Sequence, residues 1–269
     1  MMALGYPAID LREAVRKAPL SLPGVESLLP ADLVLAQEHW RVHMAAELSS
    51  ARVFAGLVPQ MMAAGAAFED IREVVDMAKQ EVDHGLLSGR VYAALGGEPC
   101  SALPPLEPVP DHIGCSPLEV VLRNVISISC CGETLAVSVI GAERERAEIE
   151  PLREILTRIL ADEVGHSRFG WRLMRDLAPG MDADLKRRLS AYLVAIFEHD
   201  MRVMLKARAL PAASWAALSV GAPDGELSYI TYVETMTHVT VPGLERHGLK
   251  AAWAFEKARA LVEAQAVAA

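Results

Sequence analysis

The chain has 269 residues, 52% of them hydrophobic and 23% charged, a composition that supports a packed core and excludes an intrinsically disordered chain. Acidic side chains outnumber basic ones 35 to 26, for a formal charge of -9; without a strong basic run, no nucleic-acid partner is expected. Charged residues from Asp10 to Lys17 stand where a secretory leader needs an apolar run, and the longest uncharged apolar run, Val53 to Phe68, is interrupted by Pro59 and Gln60. A cytoplasmic protein with no membrane association is therefore expected. Cys100, Cys115, Cys130 and Cys131 contain no CxxC pair, which argues against a disulfide scaffold or a rubredoxin-type centre.

Periodicity is helical almost throughout, so the fold class expected is all-α. Residues 1–30 hold Pro7, Pro19, Pro23 and Pro30 and read as an N-terminal arm with helix limited to Ile9–Lys17. A first long helix runs from Ala31 into the 63–67 region, with a kink expected at Pro59. A second starts at an Asp70 cap, with Glu73 completing a capping box, and stops at Gly96 and Gly97. A proline-rich crossover comes next, carrying Pro99, Pro104, Pro105, Pro108 and Pro110. Ser116, Pro117 and Glu119 open a third helix that ends between Glu143 and Glu148, and Pro151 opens a fourth that reaches Leu177. Two hairpins joined by one long connection make a four-helix bundle over 31–179 with the crossover between helices 2 and 3. Residues 180–269 form a C-terminal helical extension packed on the bundle: a helix over 183–210, a short one over 227–238, and a last one after Pro242.

The second helix carries Glu81-Val-Asp-His84 and the fourth Glu163-Val-Gly-His166. Three residues of α-helix turn through about 300°, so each Glu and His lie about 60° apart on one face and both reach one ion. With 23 Glu and 8 His in the chain, such a pair arises readily by chance, and position decides its meaning. Glu47 precedes Glu81 by 34 residues with the midpoint in the first turn, and Glu133 precedes Glu163 by 30 with the midpoint in the second. Antiparallel helices of equal rise then bring each lone Glu level with its ExxH partner. These residues interrupt apolar stripes such as Leu152, Ile155, Leu156, Ile159 and Val125, Ser129, Ala136, Ile140, where uncompensated charge is costly. A pair of divalent cations supplies the compensation.

This six-residue set resembles that of the ferritin-like di-iron carboxylate proteins, in which two helices each give a Glu and two others each give an ExxH pair. The resemblance covers roughly residues 31–178. It implies that Glu47 and His84 serve one iron, Glu133 and His166 the other, and that Glu81 and Glu163 bridge, with manganese or a mixed manganese and iron pair also compatible with the donors. Asp162 resembles the aspartate that orients a ligand histidine from the facing helix, whereas the other hairpin has Gln80 at the corresponding place. His43, one turn before Glu47, His39, two turns before it, and Cys130, one turn before Glu133, are further candidates for the site's surroundings. Ser88 stands where radical-generating ribonucleotide reductase subunits carry a tyrosine, and Ile159 stands where arylamine N-oxygenases carry a histidine.

The resemblance implies an O2-activating oxidase or oxygenase acting on a small organic substrate by hydroxylation, desaturation or oxidative cleavage. A reductase or ferredoxin would serve as electron donor, and the chain would act as a monomer or homodimer. The C-terminal extension favours this reading over a ferroxidase or peroxide-reducing protein resembling bacterioferritin or rubrerythrin, and over a metal-stabilised helical binding module. Glu198, His199, Asp200, Glu234 and His238 are expected to serve surface or interhelical hydrogen bonds, and the charged run from Glu143 to Glu154 a solvated turn.

Overall fold

The computed structural model describes residues 8–103, 108–210 and 212–268. The expectations for Pro7, Pro104 and Pro105 fall outside them. The regular elements among the described residues are helical apart from one short ribbon, in which β1 (Ala8–Asp10) pairs antiparallel with β2 (Cys100–Ala102), Ile9 opposite Ser101. The arm is thus partly strand, a difference from the all-helical expectation. Two three-residue strands carry too little alternation to register as a period.

The chain divides into two compact units. The first comprises the described residues of Met1–Pro110, Ile140–Asp162 and Ala213–Pro223. Its frame is α2 (Pro30–Ala63) against α3 (Phe68–Ala94), after the short α1 (Arg12–Lys17). Helix α2 buries Ala36, Trp40, Met44, Glu47, Ala51, Phe54, Leu57 and Met61, a stripe spaced by three and four that places Glu47 among core side chains. In α3 the stripe is Val74, Met77, Glu81, His84, Leu87 and Val91. Pro59 lies inside α2, which continues to Ala63. Helix α3 starts three residues earlier than expected: the cap is Ala67, which makes no side-chain cap bond, and Asp70 is an acidic residue of the first turn instead, where the helix dipole favours it. Gly96, at φ 86°, closes the helix as expected.

The second unit comprises Asp111–Val139, Glu163–Ala212 and the described residues of Asp224–Ala269. Ser116 caps α4 (Pro117–Val125) by accepting from the Glu119 N–H. The helix then passes through a π-helical stretch, Ile126–Glu133, into α5 (Thr134–Arg146). Helix α6 (Glu150–Leu177) starts beside the expected Pro151, and α5 and α6 each contribute residues to both units. Pro117–Arg146 as a whole is long and apolar enough to cross a membrane by composition. Its apolar residues include the buried Val121, Leu122, Val125, Ile126 and Cys130. Of these, Leu122, Ile126 and Cys130 join a core with Leu189, Leu193, Phe197, Tyr232 and Leu244 drawn from α7 (Ala183–Arg208), α9 (Gly225–Thr235) and α10 (Val241–Arg246); α8 (Trp215–Leu218) belongs to the first unit. Pro242 does not open the last helix: α9 continues through a second π-helical stretch, Met236–Thr240, into α10, where Pro242 sits in the first turn. The last helix is α11 (Ala251–Ala268), after the Gly248 turn.

Candidate metal centre

In the first unit Glu47, Glu81 and His84 bring one donor atom each to within 4.8 Å of one another. All three are buried, at 8%, 1% and 0% exposure. His84 Nδ1 faces Glu81 at 3.8 Å and Glu47 at 4.0 Å. Its other nitrogen, Nε2, lies 3.1 Å from Asp162 Oδ2, while Gln80 Nε2 donates to Asp162 Oδ1 at 3.0 Å. A carboxylate on Nε2 fixes the proton there and turns the Nδ1 lone pair toward the two glutamates. Gln80 and Asp162 thus act together: the amide occupies the carboxylate oxygen that the imidazole leaves.

The second unit assembles Glu133, Glu163 and His166, again with donor atoms within 4.8 Å of one another and all buried. His166 Nδ1 lies 3.2 Å from Glu163 Oε2. The neighbours of these residues pin the two helices together: Thr134 and Ser167 share a hydroxyl hydrogen bond of 2.8 Å, and Trp171 Nε1 donates to Thr134 Oγ1 at 3.0 Å. Helix α6 can approach the π-helical stretch because residue 170 is glycine; a Cβ there would lie 2.6 Å from Ser129 Cβ and 3.0 Å from Cys130 Sγ. Cys130 is fully buried against this contact, and burial pushes the thiols of both Cys130 and Cys131 up, so they stay protonated.

His43 lies one turn from Glu47, with Nδ1 4.0 Å from Glu47 Oε1. It also meets His39 and Glu143, and these three residues offer donor atoms within 4.8 Å of one another. Glu143 overturns the reading of its run as a solvated turn, since it is only 3% exposed. The sequence carries a signal for this: Ala136, Ile140, Glu143 and Ala147 continue the apolar stripe of this helix at helical spacing. Burial pushes the Glu143 carboxyl up, but contact with His39 and the charges of His39, His43 and Arg146 outweigh it and hold the group below its ordinary value.

Asp200 is a second residue whose setting differs from the sequence expectation. It borders a cavity of about 150 Å³ together with Cys131, Leu135, Met204 and Tyr232. Burial raises its carboxyl to about 6, with His199 opposing the shift. Tyr232 is buried, and its hydroxyl makes no hydrogen bond. His199 and His238 are exposed.

No family model and no curated protein matches the chain. Among solved structures it is similar to a protein from Synechococcus, "Protein 19 with aldehyde deformylating oxidase activity", at 18% sequence identity and a TM-score of 0.59, over 87% of this chain and 99% of that one. The fold is ferritin-like. Within that fold, the two buried triads and the His39, His43 and Glu143 cluster are groups whose donor atoms could hold a metal ion.

Proposed function

We propose that this protein is a di-iron oxidoreductase that uses O2 to oxidise a small organic substrate. The observation that carries the reading is the repetition of one donor set, a lone Glu with an ExxH pair, as a buried triad in each unit. Four buried carboxylates cost too much free energy to keep unless cations and hydrogen bonds compensate them. Glu47 and His84 would hold one iron, Glu133 and His166 the other, with Glu81 and Glu163 as bridging carboxylates. Oxygen and imidazole donors suit iron, and manganese or a mixed pair is the alternative.

Two ferrous ions held by these residues would supply the electrons for reduction of O2. The chain's own residues prepare for that chemistry. Asp162 keeps the His84 proton on Nε2, and the protonated thiols of Cys130 and Cys131 do not compete as thiolate ligands. The small cavity beside Cys131 and Leu135, lined by Val203, Met204 and Met236 together with His199 and Asp200, offers a largely apolar place for a group of the substrate. Likeness to a protein with aldehyde deformylating oxidase activity supports the oxidase over the iron-storage, peroxide-reducing and non-catalytic alternatives, and makes aldehydes the first substrate class to test. A reductase or ferredoxin would return electrons.

The test is anaerobic loading with Fe(II), then exposure to O2 with a reductant and aldehydes of graded chain length. The expected result is iron-dependent O2 uptake matched by loss of the organic substrate. Uptake that oxidises only iron, with no organic product, would replace this reading by the ferroxidase alternative.

A further inference from the structure

We propose that His39, His43 and Glu143 form a separate mononuclear site for a first-row divalent cation. His39 and His43 stand four residues apart on α2, the spacing that puts two imidazoles on one helical face for a shared ion. Their ring centroids are 4.3 Å apart, and the donor atoms of all three residues lie within 4.8 Å of one another. Ligands on one tetrahedral ion at about 2.1 Å each are about 3.4 Å apart, so closing on a cation draws donors now within 4.8 Å of one another together by at most about 1.4 Å.

Two atoms point to a ligand. Glu143 Oε2 is buried without a hydrogen-bond partner, in a residue only 3% exposed. His39 Nε2 is likewise buried; it lies at ion-pair distance from Glu143 Oε1, 3.5 Å, without the alignment of a well-formed hydrogen bond. A carboxylate oxygen left unmet in the interior is costly, and a cation coordinated by Glu143 and the two imidazoles satisfies both atoms at once. Arg146 carries the other nearby positive charge felt by Glu143, yet its Nε makes no hydrogen bond, so it does not take up the open oxygen through that atom.

The surrounding structure holds the cluster in place. Trp40, between the two histidines in sequence, contacts both rings and donates from Nε1 to the Val220 carbonyl at 2.9 Å. The 213–223 segment can close on Trp40 because residue 221 is a glycine at φ 85°; a Cβ there would lie 2.8 Å from the indole. Two imidazoles and one carboxylate are the donors that Fe(II), Mn(II) and Zn(II) accept in common.

The full-length apo chain is titrated with Zn(II), and separately with Fe(II) without oxygen, and bound metal is counted after removal of the excess. Wild type is expected to hold three ions per chain, and Glu143→Gln and His39→Gln each to hold one fewer. In Co(II)-loaded wild type, paramagnetically shifted imidazole signals should include a set that both variants lose. Equal metal content in wild type and both variants overturns the proposal, as does Co(II) loading with the same shifted signals in all three. Should one variant fail to fold, as judged by its circular dichroism, the other carries the comparison. The inference is independent of the di-iron reading. A wild type that holds one ion, lost in Glu143→Gln and kept in Glu81→Ala, would sink the di-iron centre and leave this site standing. A wild type that holds two, both kept in Glu143→Gln, would do the reverse.

Discussion

The two triads repeat one sequence pattern and are built by different means. In the first unit Glu47, Glu81 and His84 come from regular α-helices, and polar side chains back them: Asp162 on the His84 ring and Gln80 on Asp162. In the second unit Glu133 ends an eight-residue π-helical stretch, and the backing comes from hydroxyl and indole bonds of residues near the ligands, Thr134, Ser167 and Trp171. A π-helix shifts the register of the residues C-terminal to it and is frequent at functional sites. On the proposed reading, the repeated pattern would fix which atoms meet a cation, while the surroundings would set how firmly each triad grips it.

The largest expected effect comes from breaking the pattern on both sides. Glu81→Ala and Glu163→Ala should each lose the iron pair, read as metal per chain after anaerobic loading. If both variants keep the wild-type content, the two triads are not halves of one centre. Next, Asp162→Asn should weaken metal held through His84 by about 10–100-fold, the usual cost of losing a carboxylate behind a ligand histidine. Competition with a chelator of known affinity checks this. An affinity unchanged by the substitution would mean that the first triad does not depend on its backing.

Two carboxylates outside the triads, the buried Glu143 and the half-buried Asp200, sharpen the contrast. Glu143 is held below its ordinary value by its histidines, whereas burial raises Asp200 from 3.8 to about 6. The folded chain therefore binds the Asp200 proton more tightly than the unfolded chain does. Its favourable contribution is complete below about pH 4 and is lost as pH rises through about 6. Asp200→Asn should be more stable than wild type by ~3 kcal/mol near neutral pH, from a shift of about two units at about 1.4 kcal/mol each, and the curves should converge below about pH 4. Urea melts across that range decide it; a difference independent of pH would show that titration is not the cause. The smallest expected effect is that of Thr134→Val, which removes the Ser167 and Trp171 bonds from a residue of nearly the same shape. It should cost about 1–2 kcal/mol in thermal or urea unfolding, and a neutral result would leave Glu133 positioned by the π-helix and Gly170 alone.

Much of this is legible because helical spacing maps directly onto a face. The stripes through Glu47, Glu81 and His84, the Ser116 cap and the Gly96 stop all arise from local chemistry. The π-helical stretch is not, since Ile126-Ser-Ile-Ser-Cys-Cys131 is apolar or small on every side and carries no period that separates i→i+5 from i→i+4 bonding. The Asp70 cap fails because an extended Ala67 already begins the helix. Glu143 reads as solvated because its neighbours Arg144 and Glu145 look like a surface run, although its spacing from Ile140 marks it as inward.

Anomalous diffraction at the iron edge, from crystals of the chain loaded with Fe(II) without oxygen, tests the central claim most directly. Two neighbouring iron peaks are expected, one contacted by Glu47 and His84, the other by Glu133 and His166, with Glu81 and Glu163 reaching both. Iron bound elsewhere, or the six side chains paired among themselves with no iron between them, would contradict it.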